Sequence, residues 1–252
     1  MTLAGRTALV TGAGRGIGRA LATQVAAQGA RLALVARSAD ELQETVGLVE
    51  RDGGTAVPIV ADLGSKDGID MILNATADSL GVVDVLVNNA GTVQPLGPTA
   101  EMNMERWTRA FDVNVFAPVA LTLALLPGML QRGWGRVVNV SSGIVASPAG
   151  LGGDNAYGAS KAALEAHTVN LAAELKDTGV TVNIYRPGAV DTAMQAWIRE
   201  HGEGLISDDA HGRFVSSYRN KTLITPAESA ASLVARIPLT ETGRVWEVTD
   251  PI

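Results

Sequence analysis

The stretch Thr7-Ala8-Leu9-Val10-Thr11-Gly12-Ala13-Gly14-Arg15-Gly16-Ile17-Gly18 sets the reading of the rest. Thr7 to Val10 is short and apolar, which predicts a buried strand. Arg19 to Gln28 holds good helix formers and is closed by Gly29, which predicts a helix. Between them lies a turn with glycines at 12, 14, 16 and 18. Glycines let the backbone turn sharply and let a ligand come close, and the amides and dipole at a helix N-terminus favour an anion. The spacing departs from G-x-G-x-x-G, because Ile17 stands where that pattern has its last glycine. Strand, glycine turn and helix in this order point to a phosphate-binding turn.

The same alternation continues outward. Apolar strands are predicted at Arg31–Ala36, Ala56–Val60, Val82–Val87, Arg136–Val140, Thr181–Tyr185 and Val245–Val248. Helices are predicted from Ala39, capped by Ser38, and over Lys66–Leu80, Met104–Leu130, Asn155–Asp177 and Pro226–Arg236. Ala189 to Thr225 reads as less regular. Strands alternating with helices demand an α/β fold with a parallel sheet covered on both faces. No linker or repeat interrupts the pattern, so residues 1–252 read as one domain.

Composition narrows the function. The chain has 252 residues, enough for one large core, and a net charge of −6 with no basic patch, which argues against nucleic acid as a partner. Cysteine is absent, which removes thiolate catalysis and thiolate metal sites. The first strand starts too early for a secretory segment, and the apolar run Val113–Leu126 is too short to span a bilayer. A cytoplasmic protein with no membrane partner is the expectation.

Ligands of such sheets bind at the carboxyl ends of the strands. Here those ends carry Gly12, Arg37, Asp62, Asn88, Ser142 and Pro187-Gly188. Tyr157 and Lys161 lie four apart near a helix start and so share a face. A tyrosine holds its proton to about pH 10, and a nearby ammonium lowers that value. Bringing it near neutrality takes about 4 kcal/mol, of which Lys161 supplies only part. Such a phenol exchanges a proton with an alcohol or carbonyl oxygen.

Together these residues resemble the short-chain dehydrogenase/reductase family, in its order and close to its spacings: Thr11-Gly12-x-x-x-Gly16-x-Gly18, Asn88-Asn89-Ala90-Gly91, Asn114, Ser142, Tyr157-x-x-x-Lys161 and Pro187-Gly188. The resemblance covers essentially the whole chain. It implies a three-layer, doubly wound Rossmann fold with a seven-stranded parallel sheet of order 3-2-1-4-5-6-7. It implies a nicotinamide-dependent oxidoreductase interconverting a carbonyl and a secondary alcohol. In that scheme Tyr157 is the acid/base, Ser142 holds the substrate oxygen, and Lys161 binds the nicotinamide ribose and lowers the Tyr157 pKa. Asn114 holds a proton-relay water through its main chain. Gly12, Arg15, Gly16, Ile17 and Gly18 take the phosphates, while Asp62 and Leu63 meet the adenine. Asn88, Ala90 and Gly91 line the inner side of the cofactor, with Pro187, Gly188, Val190 and Thr192 around the nicotinamide. The rival reading is a non-catalytic dinucleotide-binding regulatory protein.

Ser142 stands 15 positions before Tyr157, slightly more than the family gap, which leaves Ser141 as the alternative and implies a small insertion within Ile144–Asn155. NAD-preferring relatives carry an acid at the end of the second strand. Here Ala36 and Arg37 stand there, and an arginine pair, Arg37 and Arg15, suits a 2′-phosphate, so NADP(H) is expected over NAD(H). The variable substrate loop spans 189–225. Its Met194, Trp197, Ile198, Leu205, Ile206, Phe214 and Tyr218 either line a pocket or pack on the domain. His201 and His211 read as loop histidines, and no metal site is expected. The run Val113–Leu130 is apolar on every side, which asks for a cover that a homodimer, or a homotetramer, provides. Pro118 lacks the amide that would bond the Asn114 carbonyl, which predicts a kink and a free carbonyl there.

Overall fold

A computed structural model describes residues 3–251. The strands are β1 (Thr7–Thr11), β2 (Arg31–Ala36), β3 (Thr55–Val60), β4 (Val85–Asn88), β5 (Gly135–Val140), β6 (Val180–Arg186) and β7 (Val245–Glu247). They form one sheet in the order β3-β2-β1-β4-β5-β6-β7, and every pairing is parallel. Helices α1 (Gly16–Ala27), α2 (Ala39–Arg51), α3 (Lys66–Leu80), α4 (Met104–Phe111), α5 (Ala117–Gln131), α6 (Asn155–Glu174), α7 (Ala193–His201), α8 (Asp208–Arg219) and α9 (Pro226–Arg236) connect them. The doubly wound Rossmann architecture and its strand order are those the family resemblance implies.

The inner strands β1, β4, β5 and β6 bury both faces, because side chains alternate across the sheet and helices cover each side, while the edge strands β3 and β7 bury mainly one. Ala8 and Val10 of β1 join one core with Leu21 and Val25 of α1, Leu42 and Val46 of α2, and Leu233 of α9. Leu9 between them joins the opposite core with Ile72 of α3, Leu121 of α5 and Leu171 of α6. The switch between the two layers falls between β1 and β4, so the glycine turn opens into a cleft there.

Four boundaries differ from expectation. Strand β4 starts at Val85 rather than Val82, because Asp84 turns inward. Its carboxylate accepts from the Thr7 amide at 2.9 Å and the Thr7 hydroxyl at 3.1 Å, and pairs with Arg132 at 2.9 Å. The helix expected over Met104–Leu130 is broken by a π turn at Asp112–Phe116, where the Ala117 amide bonds the Asp112 carbonyl. Pro118 follows at once and offers no amide to the Asn114 carbonyl, and the helix widens at this point. Helix α6 ends at Glu174, short of Asp177, whose φ of 64° lies in the left-handed region. The stretch 189–225 holds two helices, α7 and α8, capped by Thr192 and Ser207.

By length and apolarity alone, Met104–Gln131 passes for a membrane-crossing helix. Here Ala117, Leu121 and Met129 pack on the sheet, while Phe116, Leu123 and Leu130 remain exposed.

Candidate active site

A cleft of about 1760 Å³ runs across the carboxyl ends of the strands. At one end the glycine turn leaves no room for side chains. Gly12 has φ +66°, and a Cβ there would stand 2.9 Å from the Ala90 Cα. Gly18 lies so close to the Gly12 carbonyl that a Cβ would come within 2.0 Å of its oxygen. The turn is pinned to the end of β4 by residues the sequence analysis left without a role. Thr11 Oγ1 accepts from the amides of Asn89 and Ala90 at 3.0 and 3.1 Å, and Asn89 Nδ2 donates to the Thr11 carbonyl at 2.9 Å.

All five predicted glycine-turn residues line the cleft, as do Arg37, Asp62, Leu63, Ala90 and Gly91. Arg37 is exposed and forms no ion pair among the described residues. Arg15 pairs with Glu41 of α2 at 3.2 Å. Asp62 is not free to meet a base as expected. Arg109 of α4 binds both its carboxylate oxygens, at 2.7 and 2.5 Å. Burial works to raise the Asp62 carboxyl, but the hydrogen bonds from Arg109 and Gly64 and the charges of Arg109 and Arg37 outweigh it and hold it below the usual range. The Asn88 side chain points away from the cleft, donating to Asn139 Oδ1 at 2.8 Å within the core.

Tyr157, Lys161, Pro187 and Thr192 line the other end. Gly188 and Val190 do not. A Cβ on Gly188 would meet Val248, and Val190 is buried in a bridge to Ile224. At this point the chain packs against Ile224 and Val248.

Lys161 is 3% exposed, and its Nζ donates to the Val140 carbonyl at the end of β5 at 2.8 Å. Burial pushes its ammonium down to about 8, and Glu165 one turn later pulls the other way. The Lys161 Nζ stands 5.9 Å from the centre of the Tyr157 ring. Burial pushes the Tyr157 phenol up, the Ser142 hydroxyl beside it works the other way, and the Asp154 charge adds to the rise. The expectation that Lys161 brings this phenol down is therefore not met in the chain by itself. Ser142, rather than Ser141, lies against Tyr157.

Asn114 is wholly buried at the π turn. Its side chain is a clamp, accepting from the Thr92 amide at 2.8 Å and donating to the Thr92 carbonyl and to Ser160 Oγ, both at 2.9 Å. Ser160 in turn donates to the Tyr157 carbonyl at 2.8 Å. The roles of Ser160, Asn89, Arg109 and Glu165 are not visible in the sequence, because each depends on a partner distant in the chain.

Beyond Tyr157 the cleft is lined by the apolar Val93, Pro95, Met194 and Trp197, with Gln94 and Glu200 among its polar residues. Ile198 and Ile206 pack behind this wall. So part of the loop lines the pocket and part packs on the domain. His201 and His211 are engaged by the carbonyls of Trp197 and Arg199, at 3.1 and 3.0 Å.

Comparison with known proteins agrees with this geometry. The chain is 39% identical over 237 residues to a short chain dehydrogenase of Pseudocercospora fijiensis, covering 92% of this chain and 76% of that one. It is 36% identical over 193 residues to a 3-oxoacyl-[acyl-carrier-protein] reductase of Synechocystis, covering 76% and 77%. A variant of actinorhodin polyketide ketoreductase crystallised with NADPH superposes with a TM-score of 0.85 at 34% identity, covering 96% and 95% of the two chains. The family model for short chain dehydrogenases matches residues 6–203, and the chain belongs to that family.

Proposed function

We propose that this chain is an NADP(H)-dependent oxidoreductase that interconverts a secondary alcohol and a carbonyl carrying an apolar arm, with Tyr157 as acid/base. The observation that carries this is the buried ammonium of Lys161 beside a buried phenol in a large open cleft. A buried charge is costly, and a strongly perturbed ammonium within a cleft marks a candidate functional site.

The residues present fit a dinucleotide phosphate. Gly12 and Gly16 have φ of +66° and +54° in a turn whose missing side chains leave a cradle at the start of α1. Arg37, free of a carboxylate partner among the described residues, suits the 2′-phosphate with Arg15 on the other side. Bound NADP(H) supplies or accepts the hydride. In the reduction direction Tyr157 gives its proton to the carbonyl oxygen, which the Ser142 hydroxyl also holds. Lys161 has one N–H engaged by Val140 and two left for a ribose hydroxyl and the Tyr157 oxygen. The π turn and Pro118 leave the Asn114 carbonyl as the place for a relay water to Lys161. Met194, Trp197, Val93 and Pro95 receive the apolar arm.

The exposed Phe116, Leu123 and Leu130 of the α4–α5 run, with Val169 of α6, support a homodimer or homotetramer built on these helices. The protein is assigned to the cytoplasm as a single domain, with 189–225 as its substrate segment. The test is a panel of ketones and secondary alcohols followed at the reduced-nicotinamide absorbance. Ketones with one apolar substituent are expected to turn over with NADPH. Absence of turnover across the panel with either nicotinamide overturns the assignment.

A further inference from the structure

Helix α6 turns a polar stripe towards the sheet. Tyr157, Lys161 and Glu165 follow one another at four-residue spacing, and all three are buried. Glu165 is 8% exposed. Its two carboxylate oxygens accept from Arg186 Nε at 2.9 Å and Nη2 at 2.8 Å. Arg186 is the last residue of β6, directly before Pro187 of the cleft wall, and its Nη1 reaches Glu247 of β7 at 3.2 Å. The groups facing Lys161 can be named element by element. They are the Tyr157 ring and, one turn on, Glu165 on α6 and the Val140 carbonyl on β5, while Asn114 Oδ1 at the π turn shares with Lys161 the neighbourhood of Gly91. On β6, Arg186 stands behind Glu165. Glu165 lies one turn from Lys161 on the same buried face of α6.

We infer that Glu165 and Arg186 are positioning residues: the pair keeps a carboxylate fixed behind Lys161 so that its ammonium stays charged within the cleft. The inference rests on the assignment of Lys161 to the reaction made above. A bidentate pair with a buried carboxylate and a half-buried guanidinium is a poor choice for packing alone, because apolar residues of the same volume do that without desolvating charge. What the pair adds is a carboxylate held in place one turn from Lys161. Burial moves Lys161 towards the neutral form, and Glu165 opposes this. Removing the Glu165 charge also leaves the Arg186 cation without its buried partner, which disfavours a second cation nearby.

The test reads Lys161 directly. The chain has four lysines, at 66, 161, 176 and 221, so lysine labelled with carbon-13 at Cε gives four resonances. Lys161→Met identifies the one that matters. In the wild type that resonance titrates near pH 8. In Glu165→Gln its midpoint is expected about one pH unit lower. The double variant Glu165→Met/Arg186→Met replaces the pair by apolar volume and keeps the fold testable should the single variant not fold. Its midpoint is also expected below that of the wild type. A folded variant of either kind whose Lys161 midpoint equals or exceeds that of the wild type overturns the inference, since a packing role moves stability and leaves the midpoint alone. The basic limb of the kcat/KM profile should move with the resonance. Because the resonance needs neither cofactor nor turnover, a wild type that titrates as described yet reduces nothing would sink the proposed reaction and not the electrostatic pair.

Discussion

Gly18→Ala is the sharpest test of how the glycine turn is built. The added Cβ would stand 2.0 Å from the Gly12 carbonyl oxygen and 2.6 Å from Asn89 Nδ2. Neither neighbour can step aside, because Gly12 lies in the backbone of the turn and Asn89 Nδ2 is bonded to the Thr11 carbonyl. Reaching an ordinary contact therefore moves the start of α1 by at least about 1 Å. Overpacking of this kind costs about 1–3 kcal/mol, and the better helix propensity of alanine returns about 1 kcal/mol. A net loss of up to about 2 kcal/mol lowers Tm by up to roughly 8 °C in a chain of this size. The same displacement carries the α1 amides away from the phosphate site, so the Kd for NADPH should rise tenfold or more. The assay is thermal unfolding with and without NADPH, alongside a fluorescence titration. Gly47→Ala in α2 is the control, since its Cβ points into open space and should add about 1 kcal/mol. A Gly18→Ala protein as stable as the wild type, with unchanged NADPH affinity, would refute the reasoning.

Arg37→Glu should lower the NADPH-to-NADH ratio of kcat/KM at least tenfold, because a charge-assisted bond of about 1.5–3 kcal/mol is replaced by repulsion; an unchanged ratio removes Arg37 from that role. Leu123→Glu, on the exposed apolar side of α5, should convert a dimer or tetramer into a smaller species by light scattering while leaving the circular dichroism intact; equal masses would count against the helix interface. Lys161 titrates near 8 in the fold against 10.5 for a free lysine, so between these values the unfolded chain binds the extra proton and stability rises with pH. The stability difference between Lys161→Met and the wild type should therefore be most favourable to the variant below pH 8 and shrink towards pH 10; a difference independent of pH would contradict the burial of a charged Lys161.

The sheet was legible because each strand is an apolar run with a turn signal behind it, and a buried parallel sheet needs little more. Tyr157 and Lys161 were legible because both lie on one helix, where spacing alone sets their common face. Asn88 was misplaced for the opposite reason. Its strand-end position is visible in the sequence, but its partner Asn139 is 51 residues away and draws its side chain into the core. Asp62 shows the same limit, since Arg109 was not visible as its partner. Helices α7 and α8 were missed under a polar composition broken by Gly202 and Gly204. Their cap residues, Thr192 and Ser207, and the acidic pair Asp208-Asp209 were the available signal. Pro118 announced a disturbed helix, and the form it takes, a π turn ending at Phe116, depends on how α4 and α5 pack on the sheet.

The central claim is that Tyr157 supplies the proton. Tyr157→Phe removes one hydroxyl from a buried ring and leaves the Lys161 bond to Val140 and the glycine turn untouched. The decisive measurement is kcat for NADPH-dependent reduction of the best ketone in the panel, beside the NADPH Kd of the same variant. The account predicts a loss of about 10²–10⁴-fold in kcat with Kd within about threefold of the wild type. A Tyr157→Phe enzyme that turns over near the wild-type rate would contradict it.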